Sequence, residues 1–143
     1  MNKAAEPNIT PKNATVVCVT DQFHCERLIM AGRRISNIFK TSLYVVNVTN
    51  KDVGQINTNA IEYLFKKSKE NSAAMNIISC DDPVKAIIGF VKDSKAINVV
   101  TGLPGDNSHT LQYLWRRLKN VRCYTVSPEG EIMQVDRSSM VMV

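Results

Sequence analysis

The amino-acid sequence predicts an α/β protein built on a doubly wound, five-stranded parallel sheet with helices on both faces. Five short apolar runs of strand length alternate with four segments whose apolar residues recur at helical spacing. Strands that alternate with helices in this way form parallel sheets through right-handed crossovers. A length of 143 residues fits one domain with a core of its own.

The strands are predicted from continuous apolar runs, which suit strands that are covered on both faces. These runs are TVVCVT at 15–20, SLYVVNV at 42–48, MNIIS at 75–79, AINVVT at 96–101 and VRCYTV at 121–126. The sequence SPEG at 127–130 has proline and glycine placed for a tight turn. We therefore predict that EIMQV at 131–135 folds back as a hairpin strand.

The helices are predicted at 24–40, 57–71, 82–94 and 108–119. The apolar stripe of the first helix consists of Leu28, Ala31, Ile35 and Ile38, and the charged residues predicted to face away from it are Arg27, Arg34 and Lys40. Asn59 and Glu62 have the spacing of a capping box in the second helix. Asp82 before Pro83 predicts the N-cap and first position of the third helix.

The pattern divides the chain into three parts. Residues 1–14 carry no apolar periodicity and are predicted to form a flexible leader, whereas 15–126 form the α/β domain. Residues 127–143 are predicted to form the hairpin and a tail; the apolar SSMVMV at its end is compatible either with an edge strand or partner surface for a dimer or with a frayed end.

Composition excludes several classes of protein. An apolar fraction of 44% with 22% charged residues is that of a globular chain, not of a disordered or fibrous one. No apolar run approaches the roughly 18 residues of a membrane span, and the first fifteen residues are too polar for a signal peptide, so we expect a cytoplasmic protein without membrane insertion. The four cysteines form no CxxC pair, which predicts reduced thiols and neither a zinc ribbon nor a thioredoxin motif. A net charge of +5 is compatible with phosphate-bearing partners.

The loop after the fourth strand is a candidate anion site. Gly102 follows the strand directly, Gly105 comes three residues later, and Ser108 stands at the start of the next helix. Main-chain N–H groups and the positive end of the helix would converge there on one small volume. Turn chemistry explains the same residues equally well, because Gly and Pro favour the bend and Ser favours the helix start. The sequence leaves both interpretations open.

The loop after the first strand, TDQFHCER at 20–27, is the second candidate, because ligands of doubly wound sheets bind beyond the carboxyl ends of the strands. Thr20 and Asp21 lead this loop, although Asp21 also suits the N-cap of the first helix. His24 and Cys25 would form a metal or redox site only if His109 lay near them. In CDD at 80–82 the last acid is explained as a helix cap. We find no catalytic triad and predict no catalytic or metal-binding residue.

At these segments the chain resembles the universal stress protein (UspA-like) domains. The resemblance rests on the strand ending in VCVTD, the helix CERLIMAGRRIS, the strand LYVVNV and the GxxG after the fourth strand, and it covers residues 15–126. The segment VCVT…ERLIMAGRRI is similar in particular to the stress-protein-like domain of KdpD-type potassium-responsive sensor kinases. The resemblance implies a Rossmann-like sheet, as in adenine nucleotide alpha hydrolases, with strand order 3-2-1-4-5.

The resemblance also implies a ligand and a mode of assembly. ATP-binding members carry G-x2-G-x9-G-S/T after the fourth strand; Gly102 and Gly105 match its first half, whereas Trp115 and Arg116 stand in place of the final glycine and hydroxyl. The hypothetical nucleotide-binding residues are Thr20, Asp21, Val46, Gly102, Gly105 and Ser108. Members commonly dimerise through the last strand, which here contains Val121, Cys123, Tyr124 and Val126.

Three functions follow from this resemblance. The first is a non-enzymatic regulatory domain of stress or osmotic signalling that senses ATP or cyclic di-AMP, forms a homodimer and acts on a sensor kinase or transporter, with no required cofactor and no DNA partner. The second is a weak ATP hydrolase or nucleotidyl enzyme on the same fold. The third is a dimeric interaction module that binds no ligand.

Overall fold

The computed structural model describes residues 13–49, 56–103 and 109–137. Its strands are β1 (Ala14–Val19), β2 (Ser42–Thr49), β3 (Ala74–Ser79), β4 (Ala96–Gly102), β5 (Arg122–Val126) and β6 (Ile132–Gln134). Its α-helices are α1 (Glu26–Phe39), α2 (Thr58–Glu70), α3 (Pro83–Ser94) and α4 (His109–Arg117), and a 3-10 turn, Phe23–Cys25, precedes α1. The predicted elements are all present, with ends that differ by one or two residues.

The strands form one sheet in the order β3-β2-β1-β4-β5-β6. The first five are parallel, and β6 pairs antiparallel with β5. Val17 in the central strand β1 pairs with Val45 of β2 on one side and with Val100 of β4 on the other. The predicted fold class, strand order 3-2-1-4-5 and C-terminal hairpin strand are therefore confirmed.

Each face of the sheet has its own core, because successive side chains of a strand point to opposite faces. Val17 and Val19 pack with α1 and with Leu64 of α2 on one face. Val16 and Val46 pack on the other face with residues of α3 and α4. The continuous apolar character of β1, noted in the sequence, reflects this burial on both sides.

The apolar face of α1 differs from the predicted one at its end. Leu28, Ala31 and Ile35 are buried as predicted, but Ile38 is 73% exposed. Ile29 and Gly32 are buried instead, which rotates the contact face toward them. The prediction for Ile38 was wrong because this rotation leaves Ile38 at the margin of the contact face, and Phe39 packs against the core in the last turn instead.

The structure also corrects two predicted helix caps. The N-cap of α2 is Asn57, whose side chain accepts a hydrogen bond from the N–H of Ala60, so the capping box predicted at Asn59 and Glu62 was wrong. Asp21 does not cap the first helix, and no side chain does so. The Asp82 cap of α3 is confirmed by its hydrogen bond with the Lys85 N–H, and Pro83 begins the helix as predicted.

The two ends of the chain were predicted to lie outside the domain. Residues 1–12 of the leader and 138–143 of the tail lie outside the described residues, and Ala14 already belongs to β1. Within the described ranges, no helix combines the length and the apolar character that a membrane span requires.

The predicted dimer edge on β5 is covered by the chain itself. β6 pairs with residues 124–126, and the N–H of Val135 donates a hydrogen bond to the carbonyl of Cys123. Val121, Cys123 and Val126 are buried, and Tyr124 is half-buried. The outer strand at this side of the sheet is therefore β6.

Candidate functional site

The carboxyl ends of β1 and β4 lie side by side and open into a cavity of about 420 Å³. From β1 the chain continues to β2 on one side, and from β4 it continues to β5 on the other. The order of the strands therefore reverses between them, which is where doubly wound sheets bind their ligands. This volume lies within the range of about 300–1,000 Å³ that ligand sites of proteins have.

Apolar side chains form much of the cavity lining. Val46 and Val48 of β2, Leu28 of α1, and Pro83 and Ile87 of α3 line it. Val46 is 1% exposed and belongs to the core that α3 and α4 form with the sheet. A flat aromatic or heterocyclic group of a ligand would remove this surface from water.

Hydrogen-bond donors and one cation complete the lining. Thr20 follows β1, Gly102 ends β4, and Thr110 stands in the first turn of α4. The first turn of a helix has unpaired N–H groups and the positive end of the helix dipole. The cation is Arg27 of α1. An anionic group of a ligand would therefore find donors and positive charge in the same cavity.

The guanidinium of Arg27 is held by main-chain carbonyls from two parts of the chain. Its NH1 donates to the His24 carbonyl at 2.8 Å, and its Nε donates to the Ser127 carbonyl, in the turn between β5 and β6, at 2.9 Å. Its NH2 donates to the Val126 carbonyl at 3.5 Å. The sequence prediction that Arg27 faces away was wrong, because helical spacing fixes the direction of the first side-chain bond but not where a long side chain ends. Its position in the first turn of α1 indicates only that it lies near the carboxyl end of β1; the carbonyl that holds it is 100 residues away in the chain.

The structure places some of the other predicted site residues in the cavity lining, but not all of them. Thr20, Val46 and Gly102 line the cavity. Asp21 does not, because its carboxylate accepts a hydrogen bond of 2.7 Å from the Asn57 N–H, which attaches the loop after β1 to the start of α2. Gly105 and Ser108 lie outside the described residues.

Two cysteines and a histidine also line the cavity. His24 is exposed and Cys25 is buried, with its Sγ atom 3.5 Å from the hydroxyl of Thr20. Burial, and to a smaller extent the neighbouring Cys123, raises the pKa of the Cys18 thiol to about 12, so it stays protonated at neutral pH. In the described part of the chain, no three His, Cys, Asp or Glu side chains are grouped as metal ligands, which argues against the metal site considered for His24, Cys25 and His109.

The described lining contains no acidic side chain. Magnesium in phosphoryl-transfer sites is held by carboxylates together with the phosphates of the substrate. The described lining therefore offers cationic and apolar groups to a ligand, and no carboxylate to hold magnesium.

No protein-family model and no curated protein matches this chain. Among solved structures, it is similar to the universal stress protein from Archaeoglobus fulgidus, with 16% identity, a TM-score of 0.60, and coverage of 78% of this chain and 92% of that one. A universal stress protein in complex with cAMP has 14% identity and a TM-score of 0.62, and the match covers 81% and 97%. The A. fulgidus protein in complex with dAMP has 13% identity and a TM-score of 0.61, and the match covers 80% and 96%. The fold of the universal stress proteins is thus shared, while the finer resemblance to KdpD-type kinases stays a prediction.

Proposed function

We propose that this chain is a regulatory domain that binds an adenine nucleotide in the cavity between the carboxyl ends of β1 and β4. The observation that supports the proposal is the combination, in that cavity, of the apolar surface around Val48 with the cation Arg27 and the N-terminus of α4. A nucleotide needs both parts, one for its base and one for its phosphate. Universal stress proteins of the same fold have been solved in complex with cAMP and dAMP, which supports the choice of adenine.

The size of the cavity favours one nucleoside unit. About 420 Å³ is near the lower end of the range for ligand sites. ATP and cyclic di-AMP share the adenine ring and carry more phosphate or a second nucleoside. We therefore expect AMP or cAMP to bind first, with ATP and cyclic di-AMP as the ligands to compare.

The proposed role is regulation without turnover. The absence of a carboxylate among the described lining residues favours binding over hydrolysis, the second function considered. We propose a cytoplasmic domain of stress or osmotic signalling whose nucleotide occupancy is communicated to a sensor kinase or transporter. A homodimer through β5 would require β6 to leave that strand, so self-association is not part of the proposed mechanism.

Calorimetric titration of the full chain with AMP, cAMP, ATP and cyclic di-AMP, with GMP for comparison, tests the proposal. We expect saturable heat with at least one of the adenine nucleotides and a weaker response to GMP. Flat titrations with all four adenine nucleotides at millimolar concentration would overturn the proposal. Release of inorganic phosphate from ATP would instead support the second function, a weak ATP hydrolase.

A matched pair of substitutions tests whether the nucleotide binds in this cavity. Val48→Phe adds a ring to a half-buried residue that lines the cavity, so we expect it to fill the space of the base and remove nucleotide binding. Ile78→Phe is the control, because Ile78 pairs with Val48 on the neighbouring strand, packs in the same core and does not line the cavity. Equal nucleotide binding by the two variants would contradict the proposed position.

A further inference from the structure

The charge of Arg27 has no acidic partner in the described part of the chain. Its hydrogen bonds go to main-chain carbonyls, which are neutral, and none of the ion pairs between described residues involves it. The bonds to Ser127 and Val126 are partly buried. A partly desolvated guanidinium bound only to neutral acceptors attracts an anion more strongly than an exposed one does, because water screens it less.

One nitrogen of the guanidinium is free to take an anion. Its NH2 has a single long hydrogen bond of 3.5 Å, to the Val126 carbonyl, although it carries two N–H donors. The same nitrogen is 3.8 Å from the position that a Cβ atom would occupy at Gly102. The guanidinium therefore lies beside the end of β4, where the cavity opens.

The other two nitrogens fix the plane of the guanidinium. NH1 and Nε make short bonds of 2.8 Å and 2.9 Å, to the carbonyls of His24 and Ser127. One anchor precedes α1, and the other lies in the turn between β5 and β6. A side chain that is already held in one orientation loses less conformational entropy when a ligand binds.

We infer that Arg27 recognises the phosphate of the bound nucleotide, and that the turn after β5 positions it for this role. The inference rests on the proposed function and adds a ligand specificity: a phosphorylated nucleoside is preferred to the nucleoside itself. It also adds a coupling, because binding free energies at linked sites are reciprocal. If the Ser127 carbonyl holds Arg27 in the orientation that binds phosphate, a bound phosphate stabilises the turn in return.

Comparison of AMP with adenosine tests the specificity. We expect the wild-type chain to bind AMP about tenfold or more tightly than adenosine, the effect of a hydrogen bond to a charged group. Arg27→Met should lose that preference and keep its affinity for adenosine. Arg34→Met is the control, since Arg34 has the same charge, lies two turns further along α1 and does not line the cavity. It should keep the preference.

Hydrogen exchange of the wild-type chain tests the coupling without a variant. The N–H groups of Gly130 and Glu131 both donate to Ser127, one to its carbonyl and one to its hydroxyl. We expect AMP at saturation to slow their exchange and adenosine at saturation to leave it unchanged. If Arg27→Met does not fold, this measurement on the wild-type chain still tests the coupling between the phosphate and the turn.

The outcomes separate this inference from the proposed function. Absence of binding by both AMP and adenosine overturns the proposed function and the inference with it. Equal affinities for the two ligands in the wild-type chain, or an unchanged preference in Arg27→Met, overturn the role of Arg27 and leave the nucleotide site intact. Slower exchange in the turn with both ligands alike overturns the coupling through phosphate.

Discussion

Cys18 is the residue whose ionisation the fold changes most. It lies on the central strand β1, where burial raises the pKa of its thiol from 9.0 to about 12. Burial likewise raises the pKa of Cys123, on β5, to about 11, although Arg137 opposes the shift. Both thiols are therefore protonated at neutral pH; Cys123 is a small apolar side chain of the core, and the half-buried Cys18 packs against this core beside the cavity.

Alkaline pH should destabilise the protein through Cys18. A group whose pKa is higher in the folded than in the unfolded state contributes stability fully below its unfolded pKa, near 9.0, and loses it as the pH rises toward about 12. The free energy of unfolding should fall by up to about 1.4 kcal/mol per pH unit for each such thiol. Urea unfolding at pH 8 and pH 10.5 measures this slope. We expect it to be smaller in Cys18→Ala, and equal slopes in this variant and the wild-type chain would contradict the role of Cys18.

Individual residues could be predicted from the sequence where the main chain determines their position. Gly102 follows a strand end, and the end of a parallel strand fixes which edge of the sheet a residue occupies. Asp21 and Arg27 could not be placed in this way. The Asn57 N–H that binds Asp21 is 36 residues away in the chain, and the Ser127 carbonyl that binds Arg27 is 100 residues away. No local pattern contains such contacts.

At the scale of elements, the closest packing is that of α1 on β1. Gly32 faces the sheet, and a Cβ atom added there would overlap the Cγ2 methyl carbon of Val17 and lie 3.1 Å from a methyl carbon of Leu43. The absence of a side chain at this position lets the helix approach the strand. Gly89 in α3 is different, because a Cβ added there has no atom within 4 Å.

The same substitution at these two glycines should have opposite effects. Alanine stabilises a helix by up to about 1 kcal/mol relative to glycine. At Gly32 the overlap with the buried Val17 costs about 1–3 kcal/mol, as overpacking in a core does, so Gly32→Ala should lower the free energy of unfolding. Gly89→Ala should raise it. Urea unfolding of the two variants measures both signs, and stabilisation by both would show that α1 can move away from β1 at little cost.

Most elements could be predicted because strands covered on both faces are continuous apolar runs, whereas helices repeat their apolar residues at a spacing of about 3.6. The caps were less predictable. Asn57 and Asn59 are both suitable N-cap residues. The Asn57 N–H donates a hydrogen bond to the distant Asp21, which fixes the main chain at Asn57, and the Asn57 side chain then caps α2. Ile38 is exposed for a different reason: the contact face of α1 is rotated toward Ile29 and Gly32, and the spacing of apolar residues alone did not show this rotation.

At the scale of the whole molecule, the two edges of the sheet are the places where copies of the chain could pair strand to strand. The edge at β5, predicted to form a dimer, is occupied by β6 of the same chain. From the sequence we predicted both a hairpin strand after β5 and a dimer that forms through β5. They compete for the same main-chain groups of β5, and a strand attached by a short turn has the advantage of a high effective concentration over a second molecule.

The strand β6 should therefore keep the protein monomeric, and weakening it should expose β5. Met133 pairs with Thr125 at the centre of β6, and its side chain is 63% exposed, so Met133→Pro removes a main-chain donor from the hairpin without cutting into the core. We expect the wild-type chain to sediment as a monomer of 16.0 kDa and Met133→Pro to associate at micromolar concentration, because an unpaired strand edge binds other strands.

Met133→Thr is the matched control, since threonine keeps the main-chain donor and suits a strand; it should remain monomeric. A wild-type dimer that Met133→Pro leaves unchanged would show that copies meet elsewhere, and the other outer strand, β3, would then be the edge to vary.

A nucleotide that stabilises the turn after β5 through Arg27 should oppose the association, because it favours the paired hairpin over the exposed edge of β5. Sedimentation of the wild-type chain and of both variants, with and without AMP, therefore measures whether the state of the nucleotide site is transmitted to the edge of the sheet.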